Sequence, residues 1–305
     1  MMNNSDTPSF PSWKIWWLAI RPRTLPAAAS GVITATALAW RDGGFRLWPA
    51  LAALGVALSL QIGSNLANDV FDFERGVDTA ERQGPLRVTQ ARLLKPAQVK
   101  LGMAFVLLVA AGLGLYLAWV SSWNILWIGL AAIVSAVAYT GGPFPLGNYG
   151  LGDLFVFIFF GPVAVAGTYY VQARSTSPGA WGMSVLIGLI VTAILVVNNL
   201  RDIATDGAAG RRTLAVRWGA EWTRREYLLC LVVAYAALPL FAWLGWVPWT
   251  ALLSWGSLVV AWPVARIVFD QQGQALNAAL AGTGRIALVY SLLFALGLLL
   301  GSLKL

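Results

Sequence analysis

The sequence predicts an all-α integral membrane protein, a bundle of nine transmembrane helices with a cytoplasmic N-terminus. Three observations lead there. Mean hydropathy is +0.70, with 58% of residues hydrophobic and only 11% charged, where a soluble domain is about a quarter charged. The apolar residues gather into nine runs close to the length of about 20 residues that a spanning helix needs. With the N-terminus set inside, 17 of the 21 Lys and Arg residues fall on the inner side, which is the bias of cytoplasmic loops.

The elements follow in order. The stretch before Trp13 is polar, and no basic segment leads into a short apolar core, so the start does not read as a cleavable signal. WKIWWLAIRP, residues 13–22, is short and amphipathic and is expected to lie along the membrane interface. Spans are expected at 24–40, 48–68, 99–119, 124–140, 152–171, 181–200, 227–246, 248–268 and 285–303. Pro162, Pro239 and Pro263 fall inside spans, which membrane helices tolerate. Tryptophans mark both faces: Trp40, Trp48, Trp119, Trp123, Trp243, Trp246 and Trp249 at the outer one, Trp13, Trp16, Trp17, Trp218 and Trp222 at the inner. No linker or change of composition divides the chain, so residues 1–305 read as one domain.

The inventory excludes several chemistries. There is no His and only one Cys, Cys230. Ser/His/Asp and Cys/His catalysis, zinc sites and internal disulfides are therefore ruled out. The net charge of +8 comes from cytoplasmic loops of a membrane protein and does not point to nucleic acid.

The acids are unevenly placed. Of 13 in the chain, seven lie in two regions, NLANDVFDFERGVD (65–78) with Glu81 behind it, and NNLRDIATDGAAGRRT (198–213). Asn65, Asp69 and Asp72 share a helix face, as do Asn68 and Asp72, and Asn198, Asp202 and Asp206 do the same in the second region. Both regions end even-numbered spans and so lie on the cytoplasmic side. Solvated helix ends with Arg partners are the plain alternative. Against it, an acid within the membrane costs about 2.5–3.5 kcal/mol on insertion scales. Carboxylate and amide oxygens with water are the ligand set of a hard dication, Mg²⁺ above all. Mg²⁺ takes one or two carboxylates and completes its shell with substrate phosphates. Arg75, Arg82 and Arg87 follow the first cluster, Arg211 and Arg212 the second, and Arg suits bidentate phosphate contact. A diphosphate head with a long apolar tail, a polyprenyl diphosphate, fits this combination.

At this point the motifs resemble a known family. NDVFDFERGVD and DIATDGAAGRRTL resemble the two Asp-rich motifs of the UbiA superfamily of intramembrane prenyltransferases. SNLANDVFDFERGVD, YTGGPFPLGNYGLGDLFVFIFFG and RPRTLPAAASGVI resemble its 1,4-dihydroxy-2-naphthoate polyprenyltransferase branch. The resemblance implies a Mg²⁺-dependent transfer of a polyprenyl group to 1,4-dihydroxy-2-naphthoate, with loss of CO₂, by a multi-pass protein of the cell (inner) membrane whose active site faces the cytoplasm. It implies metal binding by Asn68, Asp69, Asp72, Asp78, Asp202 and Asp206, with Asp72, Asp78, Asp202 and Asp206 central to catalysis. Asn198, Asn199, Arg75, Arg82, Arg87, Arg211 and Arg212 are the expected diphosphate contacts. The nearly uncharged loop YTGGPFPLGNYGLGD carries Tyr139, Tyr149 and Asp153 as candidates for the aromatic acceptor. Glu74 and Glu81 read as solvated loop acids. Another aromatic acceptor or a phytyl donor is the nearest alternative. A CDP-alcohol phosphotransferase is opposed by Phe73 after Asp72 and by the distance between the two Asp pairs. A cation transporter is opposed by acids at span ends beside Arg.

Overall fold

A computed structural model describes residues 11–76 and 83–302. The described residues form helices and connecting loops, without a strand among them. The helices are α1 (Ser12–Ile20), α2 (Leu25–Arg41), α3 (Leu47–Glu74), α4 (Pro96–Val120) and α5 (Asn124–Ala138). α6 (Gly152–Ile158) runs through a π-helical stretch, Phe159–Ala166, into α7 (Gly167–Ala173). Then come α8 (Pro178–Ala208), α9 (Leu214–Trp243), a 3-10 stretch Trp249–Ser257 leading into α10 (Leu258–Asp270), and α11 (Leu276–Ser302). Among the described residues seven helices are long and apolar enough to cross a membrane, counting Gly152–Ala173 and Trp249–Asp270 as continuous. The first and fourth expected spans fall on α2 and α5, which are shorter, at 17 and 15 residues.

Local chemistry accounts for the boundaries. Pro96 and Pro178 open α4 and α8 in the first turn, where a missing N–H costs nothing. The Ser177 hydroxyl accepts from the Ala180 N–H, and the Thr213 hydroxyl from the Val216 N–H, capping α8 and α9. Pro162 cannot donate to the helical ladder, and the π-helical stretch around it absorbs the fault. Gly161 beside it lets this helix touch α8, since a Cβ there would come within 2.5 Å of the Ser184 carbonyl oxygen.

α8 is the central helix, and 72% of its spanning window is buried within the protein. Its Met183, Ile187, Ile190 and Val197 share one core with Leu38 of α2, Tyr227 and Leu238 of α9, and Tyr290 and Phe294 of α11. α3 and α4 pack together on the other side, with α1 laid over them through Ala19, Ile15 and Trp16. α5 packs on α3 and α4. A chamber is left between α5 and the α6–α7 unit, walled by residues of both.

The ends of several helices differ from the expected spans. α8 runs to Ala208 and α3 to Glu74, past the expected span ends, so Asp69, Asp72, Glu74, Asp202 and Asp206 lie within helical turns, as their shared faces required. α9 starts at Leu214 and breaks at Gly219 (φ 81°, ψ 171°) before the predicted span begins. α11 starts nine residues early, at Leu276. Arg285, the first residue of the expected span, sits exposed within the helix.

Candidate active site

The C-terminal turns of α3 and α8 meet at one end of the chamber. Asp72 is buried (2% exposed) between two guanidinium groups. Arg87 donates to Asp72 Oδ2 at 2.7 Å, and Arg211 donates to Asp72 Oδ1 at 2.7 Å. Arg211 also donates to Asp206 Oδ1 at 3.3 Å. One guanidinium thus bridges the first acidic cluster to the second. The backbone reinforces this, for the Arg211 N–H donates to the Asp206 carbonyl at 2.9 Å. Gly210, in the left-handed region (φ 73°), turns the chain back after α8 to allow it.

Asp202 is held differently. Arg201 grips both its carboxylate oxygens, at 2.8 and 2.6 Å. The same guanidinium donates to Asn198 Oδ1 and to Asn277 Oδ1 of α11. Asn277 in turn donates to the Gln83 carbonyl at 3.0 Å. This network joins α8, α11 and the loop after α3. A bidentate Arg–carboxylate pair fixes orientation as well as charge.

The expected site residues divide into those on the chamber wall and those away from it. Asn68, Asp72, Arg87, Tyr139, Asn198, Asn199, Asp202, Asp206 and Arg211 line it. Asn68 is steadied by Thr140, whose hydroxyl donates to its Oδ1 at 2.8 Å, and its backbone carbonyl accepts from Arg87. Asp69 lies off the wall: its two oxygens accept from the N–H groups of Val88 and Thr89, so it anchors the loop that delivers Arg87. Asn65, grouped with the acids in sequence, donates to the Ile20 carbonyl and Thr24 Oγ1 instead. Arg75 donates to the Gly142 carbonyl, away from the wall. Arg212 is exposed, and its N–H bonds the Asn148 carbonyl. Tyr149 is exposed and lies off the wall. Asp153 is buried in the first turn of α6, also off the wall. Glu74 pairs with Lys100 at the surface, at 2.7 Å. Asp78 and Arg82 lie outside the described residues, as does Glu81.

Some site residues escaped the sequence pattern. Arg21, Arg23 and Thr24 of the RPRT turn line the chamber, as do Gln61 and Ser64. The turn was visible as a motif, but nothing in it named a partner. Arg201 stands next to Asp202 in NNLRD and could have been paired with it. Asn277 had no signal at all, lying 76 residues from the arginine that it touches.

The donor set fits a hard cation. The chamber's charged lining consists of Asp72, Asp202 and Asp206 with Arg21, Arg23, Arg87 and Arg211. Beside the acids stand the neutral amide oxygens of Asn68, Asn198 and Asn199, which suit the same hard cation. Among the described residues no three acidic or thiol side chains cluster closely enough to ligate one ion together. Mg²⁺ takes one or two carboxylates and leaves the rest of its shell to water and phosphate. Arg211 already occupies the position of a bridging cation between Asp72 and Asp206.

From this ionic end the chamber runs past Phe155, Phe159 and Val163 on one wall and Ala132, Ile133 and Ala136 on the other. It reaches Trp123 and Leu117 near the opposite end of the bundle, and its volume is about 1000 Å³. Apart from the ionic end and the polar patch of the RPRT turn, its wall is almost wholly apolar.

Fold and chamber define a multi-pass membrane protein whose interior chamber is ionic at one end and apolar along most of its length. The chain belongs to the UbiA prenyltransferase family, whose model matches residues 28–292. It is 39% identical over 294 residues to a 1,4-dihydroxy-2-naphthoate octaprenyltransferase of Mycobacterium tuberculosis, covering 96% of this chain and 99% of the other. It is 36% identical over 301 residues to the protein of the same description from Haemophilus influenzae, covering 94% and 96%. A solved UbiA homolog from Archaeoglobus fulgidus, bound to DMAPP and Mg²⁺, shares the fold at a TM-score of 0.60 and 15% identity, covering 94% of this chain and 96% of that one.

Proposed function

We propose that the protein transfers a polyprenyl group from its diphosphate to 1,4-dihydroxy-2-naphthoate, releasing CO₂ and giving demethylmenaquinol, with Mg²⁺ at the ionic end. The carrying observation is that Asp72 and Asp206, from helices far apart in the chain, share Arg211 at the head of a long apolar chamber. The relatives' names support the acceptor. On this reading the chain is a single domain of nine spans in the cell membrane, with the ionic end cytoplasmic, as the distribution of Lys and Arg suggests.

One or two of Asp72, Asp202 and Asp206, with Asn68 and Asn198 or Asn199, would hold the metal, the rest of its shell being left to water and the diphosphate. Asp78 and Arg82 belong to the same proposal on sequence grounds. When bound, Mg²⁺ neutralises charge on the leaving diphosphate. Arg87 and Arg211, whose guanidiniums are held here by Asp72 and Asp206, would turn donors to the same oxygens, where charge grows as the allylic C–O bond breaks. Asp69 positions Arg87 through the loop it anchors, and Arg201 orients Asp202. Phe155, Phe159 and Phe160 line the path of the prenyl chain and exclude water from the allylic cation. Tyr139, at the junction of ionic end and chamber, faces the acceptor ring.

The ring carbon bearing the carboxylate bonds to the allylic carbon. The carboxylate then leaves as CO₂, and its electron pair restores the ring. No proton has to be removed from that carbon, so a chain without His is adequate. Incubation of purified protein with Mg²⁺, the naphthoate and an all-trans polyprenyl diphosphate tests the reading. Prenylated quinol and CO₂ in equal amounts are expected. Absence of product, or full activity in both Asp72→Ala and Asp202→Ala, sinks it.

A further inference from the structure

We infer that Arg46 and Arg174 form a binding site for the phosphodiester of an anionic phospholipid, at the end of the bundle opposite the acidic clusters. The site does not depend on the reaction at the ionic end.

Three helix ends meet there. α4 finishes at Val120, α3 begins just after Arg46, and α7 finishes just before Arg174. Arg46 donates to the Val120 carbonyl at 3.1 Å. Arg174 donates to the same oxygen from Nε at 3.0 Å and from Nη2 at 2.7 Å. Arg174 makes this contact from the left-handed region, φ 55° and ψ 23°, where glycine is the usual residue at a helix end and a side chain persists only if its surroundings hold it.

Capping α4 does not require both arginines. The Leu117 carbonyl accepts from the Ser121 hydroxyl and the Ala118 carbonyl from the Ser121 N–H. The Val120 carbonyl already takes two bonds from Arg174, so Arg46 adds a charge that the helix end has no use for. A helix C-terminus carries the equivalent of about half a negative charge, against two whole positive ones here. No acid meets the surplus. Asp42 is the only acid at this end of the bundle among the described residues, and its oxygens accept from Arg41 and from the Tyr169 hydroxyl. Arg46 and Arg174 have no acidic partner among the described residues. Two guanidiniums near enough to share one oxygen repel each other, and an anion between them turns that repulsion into attraction.

The surroundings select a lipid as the source of the anion. Trp48 follows Arg46 by two residues, and Trp119 and Trp123 flank Val120; all three are strongly exposed. Trp rings settle at the level of lipid headgroups, which sets the arginines at the depth of the phosphates. Leu51 of α3 and Leu115 of α4, also exposed, offer apolar surface one turn further into the bilayer for the acyl chains. The planar guanidinium fork suits phosphate oxygens. A zwitterionic lipid offsets its phosphate with its own ammonium, whereas an anionic lipid leaves that charge to the protein. Free phosphate has no chains to lay on the leucines.

Native mass spectrometry tests this on purified full-length protein, stripped of lipid in maltoside detergent and titrated with dioleoyl phosphatidylglycerol. It counts bound lipids and gives their Kd. Arginines at the other end of the bundle bind some of this lipid too, so the readout is the difference between variants. Arg46→Gln/Arg174→Gln should bind one lipid fewer, or bind it about 10–100-fold more weakly, the usual worth of hydrogen bonds to a charged group. Dioleoyl phosphatidylcholine should not distinguish the variant from the parent. Should the double variant fail to fold, Arg46→Gln leaves both Arg174 bonds to Val120 in place and should by itself weaken the site about tenfold. The same count and Kd in parent and variants overturn the inference. So does displacement of the lipid by an equal concentration of inorganic phosphate, which would make this a site for the free ion. An equal loss of phosphatidylcholine overturns it as well, because the arginines would then not read the charge of the lipid.

Discussion

Replacing Arg87 by alanine should destabilise the protein before it reveals anything about catalysis. Arg87 and Asp72 are 5% and 2% exposed, with 2.7 Å between nitrogen and oxygen. Arg87 also donates to the Asn68 carbonyl. Breaking a buried pair by removing one partner costs about 3–5 kcal/mol. Asp72 keeps Arg211 as a second partner, so Arg87→Ala should sit at the low end, about 3 kcal/mol. Asp72→Ala should lie higher in that range, because it removes the buried carboxylate on which both Arg87 and Arg211 converge. The double variant removes both buried charges, and its loss should fall short of the sum by about 1–3 kcal/mol, as for contacting residues in one network. The assay is reversible unfolding in mixed micelles, followed by Trp fluorescence, for all four proteins of the cycle. Single variants within about 0.5 kcal/mol of the parent, the range of surface substitutions, would refute the buried pair. Strict additivity would refute the direct contact.

Three further outcomes follow from the same geometry. Arg201→Ala leaves the wall untouched but frees Asp202, so the Mg²⁺ concentration for half-maximal activity should rise about 10–100-fold, as when a group that orients a metal ligand is lost. Mn²⁺ titration by electron paramagnetic resonance should show the same shift in affinity. Arg211→Gln should lower kcat by about 10²–10³-fold, the effect of removing one preorganised donor from a developing anion, and single-turnover kinetics would measure it. Val163→Trp fills the apolar chamber away from the ionic end and should lower kcat/KM for a long-chain donor by about tenfold or more while sparing dimethylallyl diphosphate, as a donor chain-length series would show.

The α-helical membrane architecture was legible because its cause is local. A backbone in lipid must satisfy its own hydrogen bonds, so runs of apolar residues declare helices whatever they later pack against. Composition and spacing therefore announced the bundle, and α8 appeared within a few residues at its start. The acidic turns stood out for a related reason: acids are so costly beside lipid that their grouping demanded an explanation. Periodicity placed Asp72, Asp202 and Asp206 on usable faces. It could not say that Asp69, three residues from Asp72, would be taken by the N–H groups of Val88 and Thr89. A shared helix face names a direction, and the groups that arrive there come from elsewhere in the chain.

Sequence by itself determined a polytopic helical protein with two polar clusters at the ends of apolar helices, from which the cation and diphosphate reading was drawn. Tertiary structure alone decided which members of those clusters meet. Arg211 bridges Asp72 and Asp206 across 139 residues, Asn277 steadies Arg201 from the last helix, and Asn65 serves the RPRT turn instead of the acids. The physical reason is that charge and hydropathy along one helix are set by that helix's own residues. Pairing inside a bundle depends on how helices distant in the chain rotate and slide to exclude lipid, and buried polar groups then bond whatever partner that packing brings within 3 Å.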